Sequence, residues 1–139
     1  MLIWGFTAIL GALISLDAIP LVWYRISLAI VFIVLYFLVN KKSFKVDRIA
    51  IGKFFVTGIL IALHWIFFFT ALKVSTVSVA LVTMSTGAFF VSLIEPIFFK
   101  RSIKVLELVL GIFMCIGLYI IFNFESQYRV GFFYALISS

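Results

Sequence analysis

The chain has 139 residues, of which 66% are hydrophobic and only 12% are charged, and its formal net charge is +6. An average soluble domain is about 45–50% apolar and about 25% charged, so this composition excludes a soluble enzyme, a disulfide-rich secreted scaffold and a disordered tail. The positive charge does not indicate nucleic-acid binding, because the few charges separate long apolar runs and form no basic stripe on a polar face.

The apolar runs predict membrane-spanning helices. The hydrocarbon core of a bilayer is about 30 Å thick, and a helix needs roughly 20 apolar residues to cross it. Charged and turn residues divide the chain into five such runs, followed by a sixth stretch that is too short to cross. The five predicted spans are residues 2–16, 21–39, 54–72, 77–99 and 106–122, and the partial one is 130–137.

The two ends of the chain indicate part of a larger assembly. The first run is short, no basic segment typical of a signal peptide precedes it, and the last run stops in mid-span. We predict a fragment or one half of a longer membrane protein; the alternative is a half-size protein that must oligomerise.

No chemical motif accompanies these runs. The sequence contains no nucleotide-binding loop and no hydrolase or metalloprotease motif, so it predicts neither ATP-driven transport nor an enzyme. Its one cysteine, Cys115, cannot form an internal disulfide, and we expect no metal and no cofactor.

Basic residues predict the orientation. Most of the eleven basic residues lie in two loops, at 41–53 between the second and third runs and at 100–104 between the fourth and fifth. Short loops rich in Lys and Arg stay in the cytoplasm, so both loops and the N-terminus are predicted on that side. The expected location is the bacterial inner (cytoplasmic) membrane.

The fourth run carries the most polar groups. Ser85, Ser92 and Glu95 fall on one helical stripe, and Pro96 deprives the carbonyl of Ser92 of its helical donor. Lipid cannot satisfy these groups, so we expect the stripe to face the bundle or an aqueous cavity. The functional interpretation is a substrate or proton site. The alternative is that Glu95 reaches the cytoplasm or pairs with the basic residues that follow it.

His64 is the ionisable group in the middle of the third run. An imidazole exchanges protons near physiological pH, and an ionisable group inside a membrane is a functional candidate. The alternative is a neutral histidine satisfied by a neighbouring serine or a backbone carbonyl.

Arg25 lies near the start of the second run, just after Pro20. Its guanidinium either binds an anionic substrate group, because its donor fork matches a carboxylate, or extends to the outer headgroups. Trp4 and Trp65, with several phenylalanines, either line an apolar pocket or face lipid.

Small residues at helical spacing predict close helix contacts. They are Gly5, Ala8, Ala12 and Ser15 in the first run, Gly58 and Ala62 in the third, and Gly111 and Cys115 in the fifth.

Several short motifs occur in a characteristic order. They are Trp4-Gly5, residues 20–25 opening the second run, residues 71–73 closing the third, residues 75–80 opening the fourth, and Gly111 in the fifth. In this order the chain resembles one five-helix repeat of the EamA family of the drug/metabolite transporter superfamily. The resemblance implies ten spans in two inverted repeats with cytoplasmic ends, a substrate site at mid-membrane, and gradient-driven transport of small metabolites, amino acids or drugs.

The chain departs from this family pattern in the fourth helix. Many members have a proline midway along it, whereas here Gly87 and Ala88 stand at that place and Pro96 comes later. Many members end the helix with Gly-Glu, whereas here Lys100 and Arg101 stand there.

The prediction is therefore an all-α polytopic transmembrane bundle of five spans plus the start of a sixth, one repeat of an inverted-repeat transporter. Residues 1–122 form the five-helix repeat, and residues 123–139 form an outer loop and the truncated start of a sixth helix. The predicted function is gradient-driven transport of small metabolites such as amino acids or drug-like solutes; the alternatives are a half-size subunit of an oligomer and a non-transporting membrane scaffold.

The expected partners are the lipid bilayer, a small-molecule substrate, a coupling ion, and a missing C-terminal half or a second half-size subunit. The predicted pathway residues are Trp4, Arg25, His64, Trp65, Ser85, Ser92 and Glu95.

Overall fold

The computed structural model describes residues 2–43, 46–100, 102, 105–124 and 126–139, without the side chains of residues 2–5 and 126. Every regular element in these ranges is helical. In chain order they are α1 (Leu2–Leu13), α2 (Ala18–Val39), α3 (Arg48–Val74), α4 (Val77–Met84), α5 (Thr86–Phe99), α6 (Val105–Phe124), a short 3-10 turn (Ser126–Tyr128) and α7 (Arg129–Ser138).

Four segments of the described chain are long and apolar enough to cross a membrane. They are Ala18–Val39, Arg48–Val74, Val77–Phe99 (α4 with α5) and Val105–Phe124. α1 has 12 residues and α7 has 10, fewer than the roughly 20 that a span requires. The all-helical membrane fold is therefore confirmed. The described residues contain four helical segments long enough to cross a membrane, fewer than the predicted five spans plus the start of a sixth.

The ends of two helices differ from the predicted runs for physical reasons. α1 stops at Leu13, before the predicted end at residue 16, because the next four residues turn the chain into α2. The ammonium of Lys73 donates to the carbonyl of Ile14 at this end. α3 starts at Arg48 and has 27 residues, a rise of ~40 Å, so it is longer than the hydrocarbon core. Hydropathy marks only the part that lipid surrounds.

The fourth predicted span is two helices, interrupted at Ser85. The Ser85 hydroxyl donates to the carbonyl of Val82 at 2.6 Å, and the Thr86 hydroxyl donates to that of Thr83 at 2.7 Å. Such hydroxyls compete with helical N–H donors for the same carbonyls, which weakens the helix locally. Pro96 lies inside α5 and does not end the helix. The interruption is at Ser85, eleven residues before the proline.

α3 is the central helix, because it contacts α1, α2, α4 and α7. Its buried side chains are Phe68, Phe69, Ala71 and Leu72. α5 pairs instead with α6. The C-terminal third of α3, which carries these buried side chains, is therefore the core of the bundle.

α7 packs against α3 through small residues at helical spacing. Gly131, Ala135 and Ser138 are all buried. A Cβ added to Gly131 would overlap the Cβ of Ser75 and lie 3.2 Å from the carbonyl oxygen of Ala71. Because glycine leaves room for this approach, the short last run is a packing element of the core.

The predicted small-residue contacts are realised unevenly. Gly111 of α6 packs so closely on the Phe89 ring that an added Cβ would overlap it, whereas a Cβ added to Gly58 meets nothing within 4 Å. Ala8 of the first predicted stripe is buried, and its neighbour Gly11 meets the Phe69 ring with the same closeness.

Candidate functional site

A cavity of about 330 Å³ lies between α1, α2 and α3, and we call it the Arg25 cavity. Its walls are mainly apolar and include Leu10, Leu28 and Phe69. Its polar lining groups are Thr7, Tyr24 and Arg25. The size suits a small organic molecule, since ligand pockets of about 300 Å³ and above hold such ligands.

Arg25 is held against two aromatic rings of α3. The guanidinium carbon lies 4.3 Å from the centre of the Trp65 ring and 5.2 Å from that of Phe69. The two rings are themselves stacked, with centres 5.6 Å apart. Trp65 and Phe69 are four residues apart, so helical spacing places both rings under the same guanidinium.

Arg25 also lines a second cavity. This space of about 180 Å³ lies between α2 and α3 and shares Arg25 and Phe69 with the first, while Trp65 belongs to its own lining. The structure therefore brings together two of the predicted pathway residues, Arg25 and Trp65. Phe69 was one of the phenylalanines that either line a pocket or face lipid and was not predicted as a pathway residue; it lines both cavities, and its spacing from Trp65 is a usable signal.

His64 bonds to the end of α7. Its Nδ1 lies 2.5 Å from the carbonyl oxygen of Ser138, and the Ser138 hydroxyl donates to the carbonyl of His64 at 3.0 Å. A ring nitrogen this close to a carbonyl oxygen is the donor, so Nδ1 carries the proton in this arrangement. The imidazole also meets the Trp65 ring edge to face, with centres 5.3 Å apart. His64 thus links α7 to the aromatic pair beneath Arg25.

Ser85 and Ser92 face α6. The Ser92 hydroxyl donates to the carbonyl of Phe89 at 2.8 Å, and Ser92 lines a cavity of about 230 Å³ with Glu107 and Met114. Ser85 Oγ lies 3.8 Å from the sulfur of Met114. These two serines therefore belong to the contact between α5 and α6.

Glu95 lines a different space. This cavity of about 400 Å³ is bordered by Gly87, Phe98 and Ser139. The structure therefore places Glu95 apart from Ser92, although one stripe of the sequence holds both residues. The side chain of Trp4 lies outside the described residues.

Thr83 is the buried polar group beside the helix interruption. It has no exposed surface, and its hydroxyl oxygen has no hydrogen-bond partner in the described part of the chain. An unpaired buried hydroxyl costs about 1–3 kcal/mol.

The variant Thr83→Val is therefore expected to raise the thermal unfolding midpoint of the purified protein. Valine retains the branched shape and removes the oxygen that lacks a partner. The matched control is Thr70→Val, because the Thr70 hydroxyl donates to the carbonyl of Ile66 at 2.7 Å and its removal offers no such gain. Equal midpoints for wild type and Thr83→Val would contradict the prediction.

No group of three His, Cys, Asp or Glu side chains is close enough to hold a metal ion among the residues that the structure describes. The chemistry available at the Arg25 cavity is instead binding, by one cation, two further polar groups and an apolar wall.

Comparison with protein-family models matches residues 1–123 to the EamA-like transporter family. Neither the curated proteins nor the solved structures give a significant match.

Proposed function

The chain belongs to the EamA-like transporter family, and from that premise we propose that it is a gradient-driven secondary transporter of small metabolites such as amino acids or drug-like solutes. Membership in this family indicates an integral membrane protein that lies in the lipid bilayer and has a small-molecule substrate. The family match over residues 1–123 carries the proposal. The Arg25 cavity supports it, because it offers a small-molecule site between helices.

The proposed topology has five spans plus the start of a sixth, with a cytoplasmic N-terminus in a bacterial inner membrane. In this topology α1 is the first span and α7 begins the sixth. Lys41 and Lys42 follow α2, while Arg48 and Lys53 lie in the first turns of α3, so the α2–α3 connection is the basic side. The positive-inside rule then places this connection in the cytoplasm.

The chain supplies one repeat in this proposal, and a second repeat completes the pathway. That repeat comes from the same polypeptide or from a second half-size subunit. Inverted-repeat transporters hold substrate at mid-membrane between two such units, which rock around it. Crosslinked dimers in membranes would support the half-size subunit, and an open reading frame that continues through five more helices would support the longer transporter.

The proposed pathway residues have distinct roles. Arg25, backed by Trp65, contacts substrate. Trp4, in the first turn of α1, is also proposed as a pathway residue. His64 couples α7 to this site through Ser138. We assign Ser85, Ser92 and Glu95 to a second part of the pathway, with Ser92 and Glu95 beside two different cavities.

The test is solute flux by the full chain in proteoliposomes. Under an imposed gradient, uptake of at least one small organic solute from a broad panel is expected to exceed that of protein-free liposomes. Equal flux in the two preparations across the whole panel would contradict transport by this chain.

Two alanine variants separate a transporter from a membrane scaffold. His64→Ala and Glu95→Ala are expected to lose flux at normal abundance in the membrane. The control is Cys115→Ala, because this free cysteine is exposed on α6 and lines none of the described cavities. Full flux in both alanine variants would show that His64 and Glu95 are not pathway residues, whereas absence of flux in the wild type would favour the scaffold.

A further inference from the structure

The contact between Arg25 and its aromatic platform leaves the useful part of the guanidinium open. The guanidinium carbon lies over the faces of the Trp65 and Phe69 rings, a position in which arginine commonly packs its flat side on an aromatic surface. The five N–H donors lie in the plane of a guanidinium, so its edge remains available for a bidentate bond to a carboxylate. The rings also fix the orientation of this edge, which reduces the ordering cost of binding.

The charge of Arg25 has no acidic partner in the described structure. None of the residues that line either of its cavities is Asp or Glu, and no ion pair to it occurs among the described residues. A cation beside apolar walls is stabilised when an anion joins it there. The missing counter-charge therefore points to an anionic ligand.

The remaining lining of the cavity defines the rest of that ligand. Leu10, Leu28 and Phe69 are apolar, while Thr7 and Tyr24 add hydroxyl groups. An apolar body fits against the leucines and the phenylalanine. A second, positive group on the ligand would find no carboxylate in this lining, and burying it unpaired would cost binding energy.

We propose that the Arg25 cavity binds a small net-anionic carboxylate with an apolar body, and that it discriminates against zwitterions with the same body. This inference rests on the proposed transport function and narrows its substrate class to carboxylates without an ammonium group, which leaves zwitterionic amino acids out. The carboxylate receives two N–H bonds from the edge of Arg25 while the body packs against Leu10, Leu28 and Phe69. The juxtaposition of an uncompensated arginine, an aromatic platform and an apolar cavity carries it.

The experiment measures binding of four probes that share one body, by equilibrium dialysis against the full chain in phosphatidylcholine nanodiscs, with empty discs subtracted. The probes are 3-phenylpropionate, phenylalanine, 3-phenylpropanol and 3-phenylpropylamine. We expect 3-phenylpropionate to bind at least ~10-fold more tightly than each of the other three, a difference of ~1.4 kcal/mol. Equal affinity for the alcohol or for phenylalanine would overturn the proposal, whatever any variant does.

Variants assign the preference to Arg25. Arg25→Gln is expected to weaken 3-phenylpropionate at least ~10-fold, to the affinity of the alcohol. Arg25→Lys is expected to weaken it as well, since an ammonium keeps the charge but provides neither the planar stack nor the fork. The matched control is Arg129→Gln, because Arg129 lies 5.3 Å over the Phe122 ring and outside both cavities. An equal loss in Arg129→Gln would overturn the assignment.

Three further outcomes separate this inference from a lipid-binding site and from the transport proposal. If phosphatidylglycerol in the discs displaces the probe, Arg25 serves a lipid phosphate and the proposal falls. If solute flux occurs without preference for the carboxylate, this inference fails and transport stands. If no solute is transported while Arg25-dependent binding of 3-phenylpropionate persists, the transport proposal fails and the carboxylate site stands.

Discussion

Replacing Phe69 with alanine is expected to lower the free energy of unfolding by about 3 kcal/mol, the largest loss for a single side chain in the described bundle. Aromatic-to-alanine changes in soluble cores cost about 3–5 kcal/mol. The lower end of this range applies here, because an apolar side chain in a membrane protein is exposed to lipid and not to water when the helices separate. Phe69 is 1% exposed, and its ring fills the space that Gly11 leaves. Its loss therefore opens a void between α1 and α3 and removes part of the platform beneath Arg25.

Denaturation of the purified protein in mixed detergent micelles, followed by circular dichroism, measures this loss. The matched control is Phe113→Ala on α6, because Phe113 is 68% exposed and its removal creates no internal void. Similar losses for the two variants would show that Phe69 is not a core residue.

Replacing Gly131 with alanine is expected to separate α7 from α3. One methyl group at this position would overlap the Cβ of Ser75. This atom is bonded directly to the backbone, so no side-chain rotation moves it away. Overpacking of this kind costs about 1–3 kcal/mol. The expected results are a lower unfolding midpoint and faster proteolysis of α7 in detergent.

The same substitution at Gly58 provides the control. A Cβ there meets nothing within 4 Å, and alanine is the better helix former by about 0.5–1 kcal/mol. Gly58→Ala is therefore expected to leave the protein unchanged or more stable. A fall in stability equal to that of Gly131→Ala would contradict the close approach of α7 and α3.

The spans could be predicted from the sequence because lipid imposes one simple rule. A helix in hydrocarbon must be apolar over roughly 20 residues, and hydropathy alone found all four segments that the described structure shows as long enough to cross. The helix ends were less predictable, because they depend on caps and turns outside the lipid. The end of α1 illustrates this, because the carbonyl of Ile14 there is bound by Lys73 of α3, which is far away in sequence.

The grouping of the site residues was beyond the sequence. Arg25 lies on α2 and Trp65 on α3. Periodicity within one helix does not show which other helix packs against it, so their contact could not be predicted. His64 presented two interpretations, and its observed partner is a backbone carbonyl of α7, a segment that the sequence marked as an incomplete span. The small-residue pair Gly131 and Ala135, which the sequence analysis did not use, has the spacing that is typical of close helix packing.

The interruption was hidden for a different reason. Hydropathy is continuous through Ser85, so residues 77–99 formed one predicted span. The break arises from hydroxyl groups that bond backwards to the carbonyls of Val82 and Thr83, a local effect that transfer energies do not contain.

The junction at Ser85, whose backbone angles (φ −63°, ψ −16°) stay in the right-handed helical region, gives α5 a long lever arm. The 14 residues of α5 rise ~21 Å, so a change of ~10° in direction at Ser85 moves the Phe99 end by ~4 Å. Such a change of direction reshapes the space beside Glu95, the tenth of the 14 residues of α5. The Arg25 cavity is built on α1, α2 and α3, so the same pivot leaves its walls in place.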